Sequence, residues 1–281
     1  MRGRQRVRYY KGAVAIITGA ASGIGKALAS ELAARGTQLT LIDRQEDALS
    51  AIAAELKERG ADVLHFVADV RDVEALEKIV EDTNAQFGRL DFVFNNAGIV
   101  VEGPFADHSL ADWDRIIDIN LKGVINGIFT ALPVMQQQGF GHIVNTASLA
   151  GLIPVPRLAG YTATKHAVVG LTRVLRSEEN VTGVRASVVC PGRVRTPILS
   201  GGKYGRVTSE TQARLAEEGA APRGAVEPDV FAQRMLRQIA KNKSVIIEPA
   251  TVRRVASIGR HFPQLVDWMA GRMFTKLHHQ N

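Results

Sequence analysis

The stretch Val14-Ala15-Ile16-Ile17-Thr18-Gly19-Ala20-Ala21-Ser22-Gly23-Ile24-Gly25 decides the fold of this chain. Its first residues form a short, β-branched apolar run, which is typical of a strand buried on both faces. The glycine-rich segment after it gives way to a helical pattern that begins at Ala27 and Leu28. A strand, a glycine turn and a helix in this order present amide N–H groups at a helix N-terminus, where a diphosphate can bind.

The same stretch does not fit the phosphate-binding loop of nucleoside triphosphatases. That loop needs a hydroxyl side chain for Mg²⁺ directly after its Gly-Lys pair, and here Gly25-Lys26 is followed by Ala27. The spacing Gly19-x-x-x-Gly23-x-Gly25 also differs from the Gly-x-Gly-x-x-Gly of many dinucleotide-binding folds. Glycines that serve only close helix–strand packing are the alternative for this loop taken alone.

The composition is that of an ordinary globular protein. Apolar residues make up 46% of the 281 residues and charged residues 22%. Cys190 is the single cysteine, so a disulfide framework or a thiolate metal cluster within one chain is excluded. No apolar run approaches the ~20 residues of a membrane span. We therefore expect a cytoplasmic protein without a transmembrane segment.

The basic charge is concentrated at the N-terminus. The first eleven residues contain five basic residues and no acid, and without these five the formal net charge falls from +7 to +2. We predict that residues 1–11 form a flexible, dispensable arm. Binding of this arm to nucleic acid or to anionic lipid is the alternative, but no nucleic-acid partner is expected. The basic residues are Arg2, Arg4, Arg6, Arg8 and Lys11.

Apolar runs of strand length alternate with helical patterns along the chain. This alternation predicts an α/β fold: a Rossmann-like, doubly wound parallel sheet of about seven strands, with helices on both faces. One domain is predicted for residues 12–248, followed by a C-terminal helical extension over 249–281. The predicted strands are 13–18, 38–42, 63–68, 92–95, 142–147, 185–190 and 245–247. The predicted helices are 23–35, 46–59, 72–87, 110–137, 160–178 and 228–241, with a break or bend at Pro133.

Polar residues stand where the predicted strands end, which is the edge where such sheets bind ligands. Asp43 lies 18 positions after Gly25 and can accept both hydroxyls of an adenosine ribose, while it would repel a 2′-phosphate. Arg44 follows Asp43, and its guanidinium could pair with a 2′-phosphate, so binding of a 2′-phosphate is the alternative. Asp69 ends the next strand, where a carboxylate can bond an adenine amino group. The run 95–98, Asn-Asn-Ala-Gly, suits a close backbone approach to a ligand.

A second set of residues suggests proton transfer. Tyr161 and Lys165 are four positions apart and so share one helix face. Ser148, at the end of the fifth predicted strand, precedes Tyr161 by 13 positions. A free tyrosine titrates near pH ~10, and a nearby ammonium lowers that pKa. Asn120 lies in a long apolar helical pattern, where an amide is costly without hydrogen-bond partners.

Together these motifs resemble the short-chain dehydrogenases/reductases, in their compact, single-domain branch. The likeness extends from about residue 12 to residue 200 and includes family-typical positions in family order. It implies interconversion of an alcohol and a ketone or aldehyde by hydride transfer with NAD(P), and a homodimer or homotetramer. The motifs are Thr18-Gly19-x-x-x-Gly23-x-Gly25, Asp69, Asn95-Asn96-Ala97-Gly98, Asn120, Ser148, Tyr161-x-x-x-Lys165 and Pro191-Gly192…Thr196.

The resemblance also implies roles for these residues. Tyr161 would be the acid/base, and Ser148 would bind the substrate oxygen. Lys165 would lower the pKa of Tyr161 and hold the nicotinamide ribose, with Asn120 in a proton relay behind it. NAD is favoured over NADP because of Asp43. No His/Asp/Glu cluster has metal-ligand spacing, so no metal is expected. A non-catalytic NAD(H) sensor or scaffold is the alternative. Cofactor contacts are expected for Gly19, Ser22, Gly23, Ile24, Gly25, Asp43, Arg44, Asp69, Val70, Asn96, Ala97, Gly98, Tyr161, Lys165, Pro191, Gly192, Val194 and Thr196.

The C-terminal part departs from the family pattern, in which chains often end in a glycine-rich strand and tail soon after the last helix. Apolar residues recur from Val252 to Leu277 at steps of three and four, and Pro263 suits the first turn of a final helix. A partner subunit, the mouth of the substrate pocket and a membrane surface are three alternative locations for this stripe. We predict that it packs beside the segment 196–228, which should cover a bulky apolar substrate and contain a short helix near Ser209.

Overall fold

The structure, a computed structural model, describes residues 9–217 and 224–278. Its seven strands form one parallel sheet in the order β3-β2-β1-β4-β5-β6-β7. Every strand bound lies within one residue of the prediction. The strands are β1 (Val14–Thr18), β2 (Gln38–Asp43), β3 (Val63–Val67), β4 (Phe92–Asn95), β5 (Gly141–Thr146), β6 (Val184–Pro191) and β7 (Val245–Glu248).

Helices cover both faces of the sheet, as predicted. In the described residues none of them is both long enough and apolar enough to cross a membrane. The helices are α1 (Gly23–Ala33), α2 (Glu46–Glu58), α3 (Val73–Phe87), α4 (Leu110–Ile117), α5 (Gly123–Gln138), α6 (Ala159–Ser177), α7 (Glu179–Thr182), α8 (Ser209–Glu217), α9 (Pro228–Ile239), α10 (Arg253–His261) and α11 (Pro263–His278).

The central strands contribute to two hydrophobic cores because successive side chains point to opposite faces of a sheet. Ala15 and Ile17 pack in a cluster with α1, α2 and α9. Val14 and Ile16 pack in a second cluster with α3, α5 and α6. This explains why β1 is apolar throughout rather than alternating.

The strand order reverses beside β1, which lies between β2 and β4. The chain builds the sheet outward from β1 to β3 and then returns to place β4 on the other side of β1. Loops on either side of this point diverge and leave a crevice beyond the carboxyl ends of the strands. The predicted site residues follow β1, β2, β3, β4, β5 and β6, so this crevice is where they meet.

The flexible arm predicted for residues 1–11 is wrong at its C-terminal end. Tyr10 is only 1% exposed, and its hydroxyl donates to the carbonyl oxygen of Leu236 at 2.7 Å. Its ring centroid lies 5.3 Å from that of Phe92. Two adjacent tyrosines show no periodicity, so the sequence pattern did not reveal this packing. Arg2, Arg4, Arg6 and Arg8 lie outside the described residues.

The long helix predicted over 110–137 consists of α4, a π-helical turn at Asp118–Lys122, and α5. Of the bend or early end predicted at Pro133, the early end is wrong, since α5 continues to Gln138. Proline has no N–H, so one carbonyl group of the preceding helical turn lacks its usual donor. Because Pro133 is exposed, water can hydrogen-bond to that carbonyl group instead.

Candidate active site

The carboxyl ends of the strands open into one cavity of 1170 Å³. All of the predicted site residues line it except Gly25 and Asn120. The structure therefore brings together nearly the whole set that the sequence singled out. Within the described ranges, no group of three or more His, Cys, Asp or Glu residues is placed to hold a metal ion.

Two glycines of the turn after β1 permit close packing. Gly19 has a φ of +67°, and a Cβ atom there would lie 2.9 Å from the Cα of Ala97. A Cβ atom on Gly25 would collide with the carbonyl oxygen of Gly19. Gly25, for which a cofactor contact was predicted, lies outside the residues that line the cavity, and its lack of a side chain allows α1 to approach the turn.

The N-terminus of α1 fits a diphosphate. The Ser22 side chain makes no capping hydrogen bond, so the amide groups of the first turn keep their donors. Ser22, Gly23 and Ile24 all line the cavity. Gly23 has a φ of +52°, and a Cβ atom there would lie 3.1 Å from Thr196. Amide donors at a positive helix end, with no side chain between them and the cavity, are what an anionic group needs.

Asp43 is held rigidly at the end of β2. Its Oδ2 accepts a hydrogen bond from the amide of Ala21 at 3.0 Å, and its Oδ1 accepts one from the amide of Gln45 at 3.0 Å. The side chain is buried but lines the cavity. The turn after β1 thus fixes the carboxylate where the sequence predicted contact with a ribose.

Arg44 is engaged by neighbours within the protein. Its Nε lies 3.2 Å from Oδ2 of Asp69, and its guanidinium carbon lies 4.7 Å from the ring centroid of Tyr204. Burial acts to raise the pKa of Asp69, but the hydrogen bonds and charge of Arg71, with the charge of Arg44, hold it below its ordinary value. Asp69 is thus an ionised partner for both arginines. Tyr204 lines the cavity and was missed, because one tyrosine in a glycine-rich stretch carries no pattern.

The residues after β4 are tied to β1. Thr18 Oγ1 accepts hydrogen bonds from the amides of Asn96 and Ala97, both at 3.0 Å. The Asn96 side chain donates back to the carbonyl oxygen of Thr18 at 3.1 Å. These bonds fix the backbone of the Asn-Asn-Ala-Gly run against the turn and form one wall of the cavity.

Ser148, Tyr161 and Lys165 meet in the cavity, as the sequence predicted. All three line the cavity, and the Ser148 side chain acts to lower the pKa of Tyr161. Lys165 Nζ lies 5.5 Å from the ring centroid of Tyr161 and donates to the carbonyl oxygen of Thr146 at 2.9 Å. The helix α6 presents Tyr161 and Lys165 one turn apart, and the segment after β5 presents Ser148 to them.

Burial dominates the protonation of this group. It raises the pKa of Tyr161 above its ordinary value, and the hydrogen bond with Ser148 acts in the opposite direction. Burial of the phenolate is therefore the cost that the positive charges of Lys165 and of the oxidised cofactor would have to offset. Burial also lowers the pKa of Lys165 to about 8, since that amine is only 2% exposed.

Asn120 lies behind the cavity wall rather than in it. Its Oδ1 accepts a hydrogen bond from the amide of Ile99 at 2.8 Å, and its Nδ2 donates to the Ile99 carbonyl at 2.9 Å. The π-helical turn aims this side chain at the loop after β4, and such turns are frequent at functional sites. A Cβ atom on Gly98 would lie 3.2 Å from Asn120 Oδ1 and 3.4 Å from Lys165 Nζ, so both groups border Gly98.

A buried ion pair that the sequence did not reveal holds the segment covering the cavity. We call Glu102, Arg157 and Thr208 the latch. Glu102 accepts from Arg157 Nε at 2.6 Å and from the amide and hydroxyl of Thr208, each at 2.9 Å. Burial acts to raise the pKa of Glu102, but these bonds hold it below its ordinary value. The partners are 55 and 106 positions away, so no spacing signals them.

The predicted short helix is present as α8, with Thr208 rather than Ser209 preceding it. Beside it, the two C-terminal helices lie at the mouth of the cavity, which is one of the three locations considered for the apolar stripe. A Cβ atom on Gly259 would press on Ile153, so α10 packs tightly there. The tail residues lining the cavity include Val255, Ile258, Val266, Met269 and Met273.

Comparison with known proteins agrees with this geometry. The family model described as short chain dehydrogenase matches residues 13–203. Levodione reductase of Leifsonia aquatica is 40% identical over 208 residues, which are 73% of this chain and 78% of that protein.

Two solved structures extend the likeness over most of the chain. A short-chain dehydrogenase/reductase of Burkholderia phymatum in complex with NAD has a TM-score of 0.83 at 30% identity, covering 91% of this chain and 95% of that one. An alcohol dehydrogenase of the archaeon Thermococcus sibiricus, complexed with 5-hydroxy-NADP, has a TM-score of 0.70 at 30% identity, covering 84% and 94%. This protein therefore belongs to the short-chain dehydrogenase/reductase family of NAD(P)-dependent oxidoreductases.

Proposed function

We propose that this protein interconverts a bulky apolar alcohol and its ketone or aldehyde by hydride transfer with NAD(H). The observation that carries the proposal is the meeting of Ser148, Tyr161 and Lys165 in one cavity with the α1 N-terminus and Asp43. A retired, purely NAD(H)-sensing protein would have no physical need to keep all three side chains in contact.

The residues of the cavity fit a nicotinamide dinucleotide. The amides of Gly23 and Ile24 would hold its diphosphate, Asp43 its adenosine ribose, and Lys165 its nicotinamide ribose. When bound, the cofactor donates or accepts the hydride. The backbone and side chains of Pro191, Gly192, Val194 and Thr196, which line the cavity beside β6, would position the carboxamide.

Tyr161 moves the proton. In carbonyl reduction its hydroxyl gives a proton to the oxygen of the forming alcohol, and Ser148 donates a hydrogen bond to that oxygen. A raised pKa suits this direction, because the phenol is protonated at neutral pH. In alcohol oxidation the phenol must first lose its proton. We expect the positive charge of Lys165, together with that of the oxidised cofactor, to offset the cost of burial in that direction.

Asn120 is proposed to act in the proton relay behind Lys165. Its amide is fixed by two hydrogen bonds to Ile99, and its Oδ1 borders Gly98 together with Lys165 Nζ. A side chain held this way can keep an ordered water beside the ammonium. The water would carry the proton between Lys165 and solvent.

NAD is proposed over NADP. The Asp43 carboxylate is fixed toward the cavity, and a 2′-phosphate beside it would meet like charge. Arg44, which would have to balance that charge, is paired with Asp69 and stacked on Tyr204. A kcat/KM ratio that favours NADPH over NADH would contradict this assignment.

We propose a homodimer or homotetramer, which the exposed apolar side chains of α5 and α6 support. Phe129 is 65% exposed and Val174 is 61% exposed. Sedimentation velocity of the purified protein measures the state directly, and a monomer at micromolar concentration would refute the proposal.

The test of the proposed function pairs activity with binding. Purified protein is screened with NAD⁺ against alcohols, steroids and other apolar hydroxy compounds, and NADH release is followed by absorbance. Tyr161→Phe should abolish turnover while calorimetry still detects NAD⁺ binding, because the change removes a proton donor but little volume. Tyr9→Phe, outside the cavity, serves as the matched control. Turnover by Tyr161→Phe would refute the mechanism, and NAD⁺ binding without turnover of any substrate would favour the sensor alternative.

A further inference from the structure

An exposed apolar ridge is formed by the last helix and the residue before it, and we define it as Phe262, Leu265, Trp268 and Met269. Their exposed fractions are 62%, 46%, 57% and 53%. A helix turns by about 100° per residue, so Leu265, Trp268 and Met269 lie on one side of α11, and Phe262 directly precedes that helix. Val266, which is only 6% exposed, turns toward the protein body. Clustered exposed apolar side chains mark an interaction surface.

The ridge adjoins the mouth of the cavity. Met269 lines the cavity and is also more than half exposed. Ile258 and Met273 also line the cavity, and their exposed fractions are 40% and 45%. Whatever covers the ridge therefore also faces the opening through which an apolar molecule would enter.

The charge around the ridge is positive. Residues 253–278 contain five Lys and Arg residues, of which Arg253 pairs with Glu248, and one acid, Asp267. The Arg272 guanidinium lies 5.0 Å from the Trp268 ring, on the ridge side of the helix. Arg254 and Arg260 are exposed, and neither forms an ion pair within the part of the chain that the structure describes. Asp267 lies about 160° around the helix from Leu265 and from Met269.

We propose that the ridge and its arginines dock on an anionic lipid surface, so that the cavity opens toward the bilayer. An apolar stripe containing Trp and flanked by arginines is the pattern of a helix that lies in a membrane interface. A second copy of the chain is disfavoured as the occupant, because pairing two ridges brings the arginines of both copies together. The docking does not depend on the proposed catalytic function.

The first experiment measures binding to sedimented vesicles of phosphatidylglycerol and phosphatidylcholine. The full-length chain is used with its N-terminal arginines changed to glutamine, because that segment would also attract anionic lipid. Leu265→Ser/Trp268→Ser should weaken binding at least about tenfold. Arg272→Gln should weaken it about fivefold, which corresponds to about 1 kcal/mol. The matched controls are Val181→Ser, an exposed valine of α7, and Arg115→Gln, an exposed arginine of α4.

The second experiment locates Trp268. The chain has two tryptophans, so Trp113→Phe leaves Trp268 as the single emitter. Its fluorescence should shift to the blue with anionic vesicles and be quenched by lipids brominated on the acyl chain. Neutral phosphatidylcholine vesicles should give a much smaller response, and added salt should weaken binding.

The proposal would be overturned by no vesicle binding of the arm-substituted protein, by equal binding of Leu265→Ser/Trp268→Ser, or by an unshifted Trp268 spectrum. Conversion of an oligomer to a monomer by the ridge substitutions, without any loss of lipid binding, would assign the ridge to a subunit contact and also overturn it. Both substituted side chains are exposed, so the variant should keep the wild-type melting temperature. Turnover in detergent-free buffer tests the proposed function separately.

Discussion

The latch should control how often the segment over the cavity opens. Glu102 uses both carboxylate oxygens to accept three hydrogen bonds, two from Thr208 and one from Arg157. Glu102→Gln keeps the shape of the side chain but replaces one oxygen by an NH₂ group. The new NH₂ group must then lie opposite the Arg157 Nε–H or the Thr208 amide N–H, so two buried donors face each other. The side chains of Arg157 and Glu102 are only 8% and 10% exposed, so solvent cannot compensate.

The magnitude follows from these contacts. An unsatisfied buried donor costs about 1–3 kcal/mol, and breaking a buried ion pair costs about 3–5 kcal/mol. We take about 2 kcal/mol as a conservative value, which corresponds to about a thirtyfold increase in the open population. Arg157 has a φ of +66°, a conformation that a non-glycine residue keeps only when its surroundings enforce it, so loss of the ion pair should also release this strain.

Hydrogen–deuterium exchange of peptides covering residues 206–217 measures this opening without a substrate. Glu102→Gln should accelerate exchange there about thirtyfold, with little change in the central strands. Glu210→Gln is the control, because Glu210 is 38% exposed and lies 3.4 Å from Arg157, so its pair contributes under about 1 kcal/mol. Unchanged exchange in Glu102→Gln, or equal acceleration throughout the sheet, would refute the assignment of a latch.

The pH dependence gives an independent check. The folded-state pKa of Glu102 lies below its ordinary value, so its stabilising effect is fully present above that ordinary value. The effect is lost as pH falls through the folded-state pKa. Protection of residues 206–217 in the wild type should therefore, after correction for intrinsic exchange, hold from pH 8 to about pH 5 and decline in more acidic solution. Glu102→Gln should lack this decline.

Three further predictions concern the fold and the cofactor site. In urea titrations, Tyr10→Ala should lower the free energy of unfolding by about 3–5 kcal/mol. Tyr10→Phe should lower it by about 1 kcal/mol, because the hydrogen bond to Leu236 is lost. Wild-type stability of both variants would show that Tyr10 does not pack in the core. Asp43→Ser should raise the NADPH-to-NADH ratio of kcat/KM at least about tenfold, about 1.4 kcal/mol, by removing like charge, and an unchanged ratio would assign specificity to another residue. Lys165→Met should weaken NAD⁺ binding in calorimetry and abolish turnover, whereas loss of turnover with unchanged binding would remove its ribose role.

The sequence alone determined the architecture and most of the site. β1 is apolar at every position because it is buried on both faces, and this property is visible in the residues themselves. Alternation with helical patterns then requires parallel strands, whose carboxyl ends meet at one edge. That is why Asp43 and Ser148, which follow different strands and are far apart in the chain, line one cavity.

Tertiary structure decided what depends on distances through space. Asn120 finds both backbone groups of Ile99, 21 positions away, and Tyr10 finds the carbonyl oxygen of Leu236, 226 positions away. The latch has the same origin, because Glu102 is indistinguishable from a surface acid until Arg157 and Thr208 enclose it. Burial also sets the direction of the Tyr161 pKa shift in the protein alone, since desolvation depends on the whole surrounding fold. Local pattern encodes which elements form, whereas pairing and burial of single polar groups exist only once those elements have packed.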